Sequence, residues 1–278
     1  MTSKMSVQSV ARRAGWADRQ SAPAYWRLLG SRVITFCWLE LAKIRHDRTE
    51  LYTRAIQPAL WLVIFGETFS RIRAIPTGGR PYLDFMAPGV IAQSALFVSI
   101  FYGIQIIWER DAGILSKLLS TPTPTSALVA GKAMGASVRG LIQAVVVVVL
   151  ATVLGVRFST NPLDYLISIV VIVLGAAFFS TLSLSIAGIV LRRDRLMGIS
   201  QMITMPLFFA SNALYPIGLM PGWLQLLSAI NPLRYEIDAL RGLLIGTPSN
   251  LGEDLAVLVA ASVCGIVVAS RLLRRLSR

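Results

Sequence analysis

AVVVVVLATVLG, residues 144–155, decides the fold class. A transmembrane barrel strand alternates apolar and polar residues over about ten positions, and this run does not alternate. It belongs to a longer apolar stretch from about Ser126 to Val153. Roughly 20 apolar residues in helical form cross a ~30 Å hydrocarbon core. No water is present there to satisfy the backbone, so a spanning segment that is not a barrel strand must be a helix. Working outward in both directions, the same texture recurs. Spans are expected at 52–69, 85–108, 126–153, 163–191, 198–214 and 255–272, which makes the chain an all-α, polytopic membrane protein with six transmembrane helices. The composition agrees, with 55% hydrophobic residues, 15% charged residues and a mean hydropathy of +0.65. A soluble domain carries about a quarter charged residues.

The regions between these runs have their own readings. Residues 1–23 are polar, lack the apolar core of a cleavable signal peptide, and read as a disordered cytoplasmic tail. In residues 24–48 Trp26, Leu29, Val33 and Phe36 recur at roughly helical spacing, interleaved with Arg27, Arg32, Lys43 and Arg45. That mixture suits an amphipathic helix lying in the headgroup layer. Residues 49–278 then form the transmembrane domain. The stretch YPIGLMPGWLQLLSAINPLRYEIDALRGLLIG, residues 215–246, is apolar but broken by Pro216, Pro221, Pro232 and several glycines. It reads as short external or re-entrant helices before the last span.

A net charge of +13 in a soluble protein would point to nucleic acid, but here it is explained by loop composition. With the N-terminus inside, the outside segments hold only Arg71, Arg73, Arg80, Arg157, Arg234 and Arg241, and most other basic residues fall inside. Cytoplasmic loops collect Lys and Arg, so both termini are expected in the cytoplasm. Cys37 and Cys264 lie far apart and form no metal-ligand or disulfide pattern.

Enzyme chemistry finds little support. His46 is the only histidine, and it precedes the first expected span. No span carries a pair of acidic residues of the kind a proton- or metal-dependent membrane enzyme uses. GKAMG at 131–135 lacks the upstream glycine and the Ser/Thr of a phosphate-binding loop. No cofactor is therefore expected in this chain, and any ATP and Mg would be bound by another polypeptide.

Two features stand out. Arg139 lies near the middle of the third span, where an Arg costs about 2.5–3.5 kcal/mol to insert. It reads either as part of a translocation path or subunit seam or as a structural partner of Gln143, one turn along. Glu67, near the end of the first span, can reach the headgroups. The second feature is WERDAGILSKLLSTPTP, residues 108–124. There Leu115, Leu118 and Leu119 share one face of a short helix, with Glu109, Arg110, Asp111 and Lys117 elsewhere around it. Its mixture of acidic and basic residues favours a protein partner over lipid.

These stretches carry a family likeness. PYLDFMAPGVIAQSALF (81–97), WERDAGILSKLLSTPTPTSALVAGK (108–132), RGLIQ (139–143) and the broken segment 215–246 resemble ABC type-2 permeases, the membrane subunits of bacterial ATP-binding-cassette exporters. The version here is most similar to the branch of daunorubicin-resistance, nodulation-factor and polysaccharide exporters. The resemblance implies a multi-pass protein of the bacterial inner membrane, paired with a second permease subunit, expected to be a homodimer. Two copies of a separate ATP-binding subunit dock beneath. It implies that Glu109, Arg110, Asp111, Gly113, Leu115, Leu118, Thr121 and Pro122 form the coupling element, and that residues 24–48 form a connecting helix. The cargo would be an amphipathic drug-, lipid- or glycolipid-like compound, carried through a seam lined by the first, second and fifth spans. Arg139, Gln143, Met205, Phe209 and Asn212 are the candidates for that path, with internal packing the competing reading. An ion-coupled secondary transporter is the alternative, weakened because no internal repeat is evident.

Overall fold

A computed structural model describes residues 30, 34–35, 38, 56–72, 75, 77, 79–115, 125–190 and 192–276. Among these residues the chain is helical and contains no strand. A helix over residues 56–72 (α1) includes a π-helical segment, Trp61–Gly66. It is followed by Tyr82–Asp111 (α2), Thr125–Val153 (α3), Pro162–Val190 (α4), Arg193–Phe209 (α5), Gly222–Ala229 (α6), Pro232–Ile245 (α7) and Leu251–Leu276 (α8). Among the described residues four helices, α2, α3, α4 and α8, are long and apolar enough to cross a membrane. The expected tail at 1–23 and interfacial helix at 24–48 lie outside the described residues, apart from Gly30, Ile34, Thr35 and Trp38, which are helical and exposed.

α2 and α4 form the centre of the bundle. α2 packs on α3, α4, α5 and α7, while α4 packs on α2, α3, α7 and α8. In lipid, helices associate through close packing of small residues, because hydrocarbon competes for their apolar faces. Gly103 of α2 shows how close that approach is, since a Cβ built there would lie 2.1 Å from Ser183 Oγ and 2.5 Å from the Ser183 carbonyl oxygen of α4. Gly140 of α3 likewise fits between Ala95 and Ala176. The exposed sides of α3, α4 and α8 carry Val145, Val149, Leu166, Val259 and Val263, a composition suited to lipid.

α5 differs from the expected fifth span. It begins at Arg193 and stops at Phe209 rather than reaching residue 214, and has 17 residues. Pro206 removes one backbone donor from its last turn. Side chains then take the final carbonyls: Asn231 Nδ2 donates to Leu207 O at 2.7 Å, and the Tyr215 hydroxyl donates to Phe209 O at 2.7 Å. Burial raises the Tyr215 pKa above its ordinary value. The chain then follows the broken course its prolines suggest. α7 shows the full set of end signals: Asn231 accepts from Leu233 N at 3.1 Å, Pro232 opens the helix, and Gly246 closes it at φ +66°.

Candidate functional site

The sequence-derived residues fall at three places. The first is the end of the bundle where α2 meets α3. α2 stops at Asp111, and Gly113 turns the chain with a left-handed φ of +71°, a conformation open to glycine without strain. Arg110 donates to Asp111 Oδ1 from Nε at 3.0 Å and from Nη2 at 2.9 Å, in an exposed pair. Glu109 behaves differently. Its carboxylate is paired with Lys132 of α3, whose side chain is only 6% exposed, and it accepts from Gln105 Nε2 at 3.4 Å. The second Glu109 oxygen is buried with no hydrogen-bond partner. A buried ion pair thus fastens the last turn of α2 to the third turn of α3. Sequence reasoning missed Lys132 by treating it as a loop charge. Its place inside an apolar helix was a readable signal, because a buried Lys needs a partner.

Leu115 requires a correction. The expectation gave it to a face that docks on a partner, yet it is 1% exposed and packed with Ile104, Ile107, Leu128 and Leu196. Among the described residues the exposed apolar side chains at this end include Trp108 and Ile114, each 49% exposed. Leu115 belongs to a cluster that also takes in residues of α2, α3, α4, α5 and α8. Leu118, Thr121 and Pro122 lie outside the described residues.

The second place is mid-bundle. Arg139 of α3 is half-buried, with its guanidinium carbon 5.9 Å from the centroid of the Tyr102 ring on α2, a cation–π distance. Gln143, one turn along, is 2% exposed. It lines a cavity of about 280 Å³ between α1, α2 and α3, together with Gln57, Pro58, Gln93, Ser94, Phe97, Val98 and Phe101.

The third place is the opposite end of α2. Arg241 of α7 is 5% exposed. Its Nη2 donates to Asn212 O at 2.8 Å and to Phe85 O at 3.2 Å, and its Nε reaches Phe85 O at 3.3 Å. The guanidinium carbon lies 3.9 Å from the centroid of the Phe85 ring, and Asp238 balances the charge, with Oδ1 at 3.7 Å. Asn212 Nδ2 donates to Asp238 Oδ1. Asn212 is therefore part of a buried polar clamp that joins α7 to the end of α5 and to α2. Met205 is half-buried and Phe209 is 44% exposed, and neither lines the Gln143 cavity.

Glu236 was not singled out from sequence, although it lies on the same helical face as Leu233 and Leu240. It is fully buried against Gly175 of α4, and both of its oxygens lack a hydrogen-bond partner among the described residues. Its place on the apolar side of an amphipathic helix was the signal for this.

Among the described residues the arrangement is one of packed helices and polar contacts. Among the described residues no group of three or more His, Cys, Asp or Glu could hold a metal ion. It is a helical scaffold with polar fasteners at both ends and an amphipathic cavity between them. Comparison with known proteins agrees with that description. The chain is 28% identical over 240 residues to the ycf38 protein of Cyanophora paradoxa, named as a transport permease, covering 81% of this chain and 82% of that one. It is 25% identical to the daunorubicin resistance ABC transporter permease protein DrrB1 of Streptomyces coeruleorubidus, over 85% of this chain and 83% of that one. Nodulation protein J of Rhizobium meliloti is also 25% identical, over 71% and 75% respectively. Residues 31–245 match the profile of the ABC-2 type transporter, which takes in all three places described above, and the chain belongs to that family.

Proposed function

We propose that this chain is the permease subunit of an exporter that moves an amphipathic drug-, lipid- or glycolipid-like compound across the bacterial cytoplasmic membrane. It works without catalytic residues of its own. Two copies of a separate ATP-binding subunit bind ATP and Mg beneath a permease pair, expected to be a homodimer. Six spans are assigned on this reading, with α1 and α5 joining the four long helices, and both termini in the cytoplasm. The basic residues gathered on that side support the orientation.

The buried Glu109–Lys132 pair carries the reading. It lies where α2 and α3 leave the membrane on the cytoplasmic side, and it converts a push on the α2–α3 connection into movement of two spans together. Asp111 and Ile114, both exposed, are the groups this reading assigns to the ATP-binding partner. Ile114→Asp places a charge on that docking surface, where burial without a partner is costly. The variant is expected to insert normally but to lose co-purification with the ATP-binding subunit and ATP-dependent export. Normal association and export by Ile114→Asp would remove this surface from the mechanism.

Arg139 has a separate test. Arg139→Leu removes an insertion cost of about 2.5–3.5 kcal/mol, so the yield should hold, while export falls severalfold through loss of the contact with Tyr102. Arg139→Lys is expected to be intermediate, since it keeps the charge and loses the planar fork. Full export by the leucine variant would reduce Arg139 to a dispensable residue.

A further inference from the structure

The cavity between α1, α2 and α3 has no α5 residue in its lining, and its chemistry is specific. Gln93 lies about 17 Å along α2 from Tyr82, at 1.5 Å per residue. That depth is well inside the hydrocarbon layer of a spanning helix. Its side chain is 3% exposed and faces the cavity, and among the described residues no hydrogen bond reaches its amide. Gln57 and Gln143 bring two more amides to the same space, and Ser94 brings a hydroxyl that already donates to Ile91 O at 2.7 Å. Phe97, Val98, Phe101 and Pro58 supply the apolar walls.

Among the described residues that line this cavity there is no Asp, Glu, Lys or Arg. The nearest cation along α3, Arg139, is directed at Tyr102. At about 280 Å³ the space is at the lower limit of small-molecule sites, about 300–1,000 Å³. It suits a headgroup and the first carbons of a chain. Gln57 and Phe101 are exposed, so the cavity opens sideways between α1 and α2.

We propose that the α1–α2–α3 cavity is a binding site for an uncharged amphipath, one whose hydroxyl or amide headgroup exchanges hydrogen bonds with Gln93, Gln57 and Gln143 while its apolar body leaves between α1 and α2. Amides both donate and accept, so they satisfy a polyol or amide head and leave a phosphate without a counter-charge. The ligand is either a resident neutral lipid or the exported cargo. The site stands independently of the exporter reading, because binding needs no ATP-binding subunit.

The test uses the full chain in lipid nanodiscs with photoactivatable diacylglycerol and, in parallel, photoactivatable phosphatidic acid. Crosslinks are mapped by mass spectrometry. Diacylglycerol should label α2 around Phe97–Phe101 at least about fivefold more than phosphatidic acid does. Gln93→Leu should lower that labelling about fivefold, the loss expected from one or two hydrogen bonds, and Gln93→Asn should retain part of it. If Gln93→Leu does not fold, competition of the wild-type label by unlabelled diacylglycerol against phosphatidic acid reads the same preference. Equal labelling by the two lipids, labelling unaffected by a folded Gln93→Leu, or no label on this segment overturns the proposal. Adding the ATP-binding partner with ATP separates the sources: cargo loses its label as turnover proceeds, and a resident lipid keeps it. If ATP-driven export then proves absent while neutral labelling persists, the exporter reading fails and this site remains.

Discussion

Replacing Lys132 with methionine is expected to destabilise the protein by about 3–5 kcal/mol, the usual consequence of removing one partner from a buried ion pair. Lys132 is 6% and Glu109 16% exposed, so water replaces little of the lost contact. One Glu109 oxygen is already without a partner, and the substitution leaves the other with only the long contact from Gln105. Glu109→Leu should destabilise comparably, by leaving the ammonium buried. The double variant Glu109→Leu with Lys132→Met removes both charges, and its stability should return to within about 1 kcal/mol of wild type, because well-packed apolar replacements of a buried pair are often neutral. On the proposed exporter reading export should not return, because the fastening between α2 and α3 is gone. Thermal unfolding in nanodiscs, measured across the four proteins of the cycle, gives the coupling term. Additive losses in the double variant would show that the two residues act separately.

Gly103→Ala is expected to be strongly damaging. The added Cβ would lie 2.1 Å from Ser183 Oγ, 2.5 Å from the Ser183 carbonyl oxygen and 2.8 Å from its carbonyl carbon. The Ser183 hydroxyl also donates to Ile100 O, so its rotation removes a hydrogen bond as well. The two backbone atoms have no rotamer with which to move aside, so α2 and α4 must separate. Overpacking typically costs about 1–3 kcal/mol, and separating the two central helices puts this case at the top of that range or beyond. Adding Ser183→Gly should give only partial relief, because the carbonyl stays in the way. Gly198→Ala, where nothing lies within 4 Å of the new methyl, is expected to stabilise the helix by about 0.5–1 kcal/mol. Monodisperse yield and melting temperature distinguish these outcomes. A Gly103→Ala protein that melts with wild type would mean that α2 and α4 pack farther apart than described.

The helical class and the four long helices were legible because they depend on run length and on the absence of alternation, both local properties. The interrupted segment was legible for the same reason: Asn231, Pro232 and Gly246 act within one helix turn of where they stand. Partner choice was not. Lys132 finds Glu109 across 23 positions and Arg241 finds Phe85 across 156, and no period in the sequence specifies such distances. Arg241 and Arg234 were counted as outside loop charges, whereas Arg241 is 5% exposed inside the protein. The inward turn of Leu115 was hidden too, because a helical face says which residues travel together and not which neighbour they meet. The proposed path residues separated for this reason, with Gln143 at the cavity, Asn212 in the clamp, and Phe209 on the open side of α5.

The clamp around Arg241 bears on the order in which the molecule is made. Among the described residues α2 is the first of the four long apolar helices in chain order, and Pro88 returns no N–H to the carbonyl of Asp84. One residue on, the carbonyl of Phe85 is held by Arg241. More than 150 residues of synthesis separate the two. Through that interval the first turn of α2 waits without the side chain that completes it. The nascent protein therefore cannot lock from its beginning toward its end. It closes only when its final third arrives, which makes late truncation as harmful to the first half of the chain as to the last.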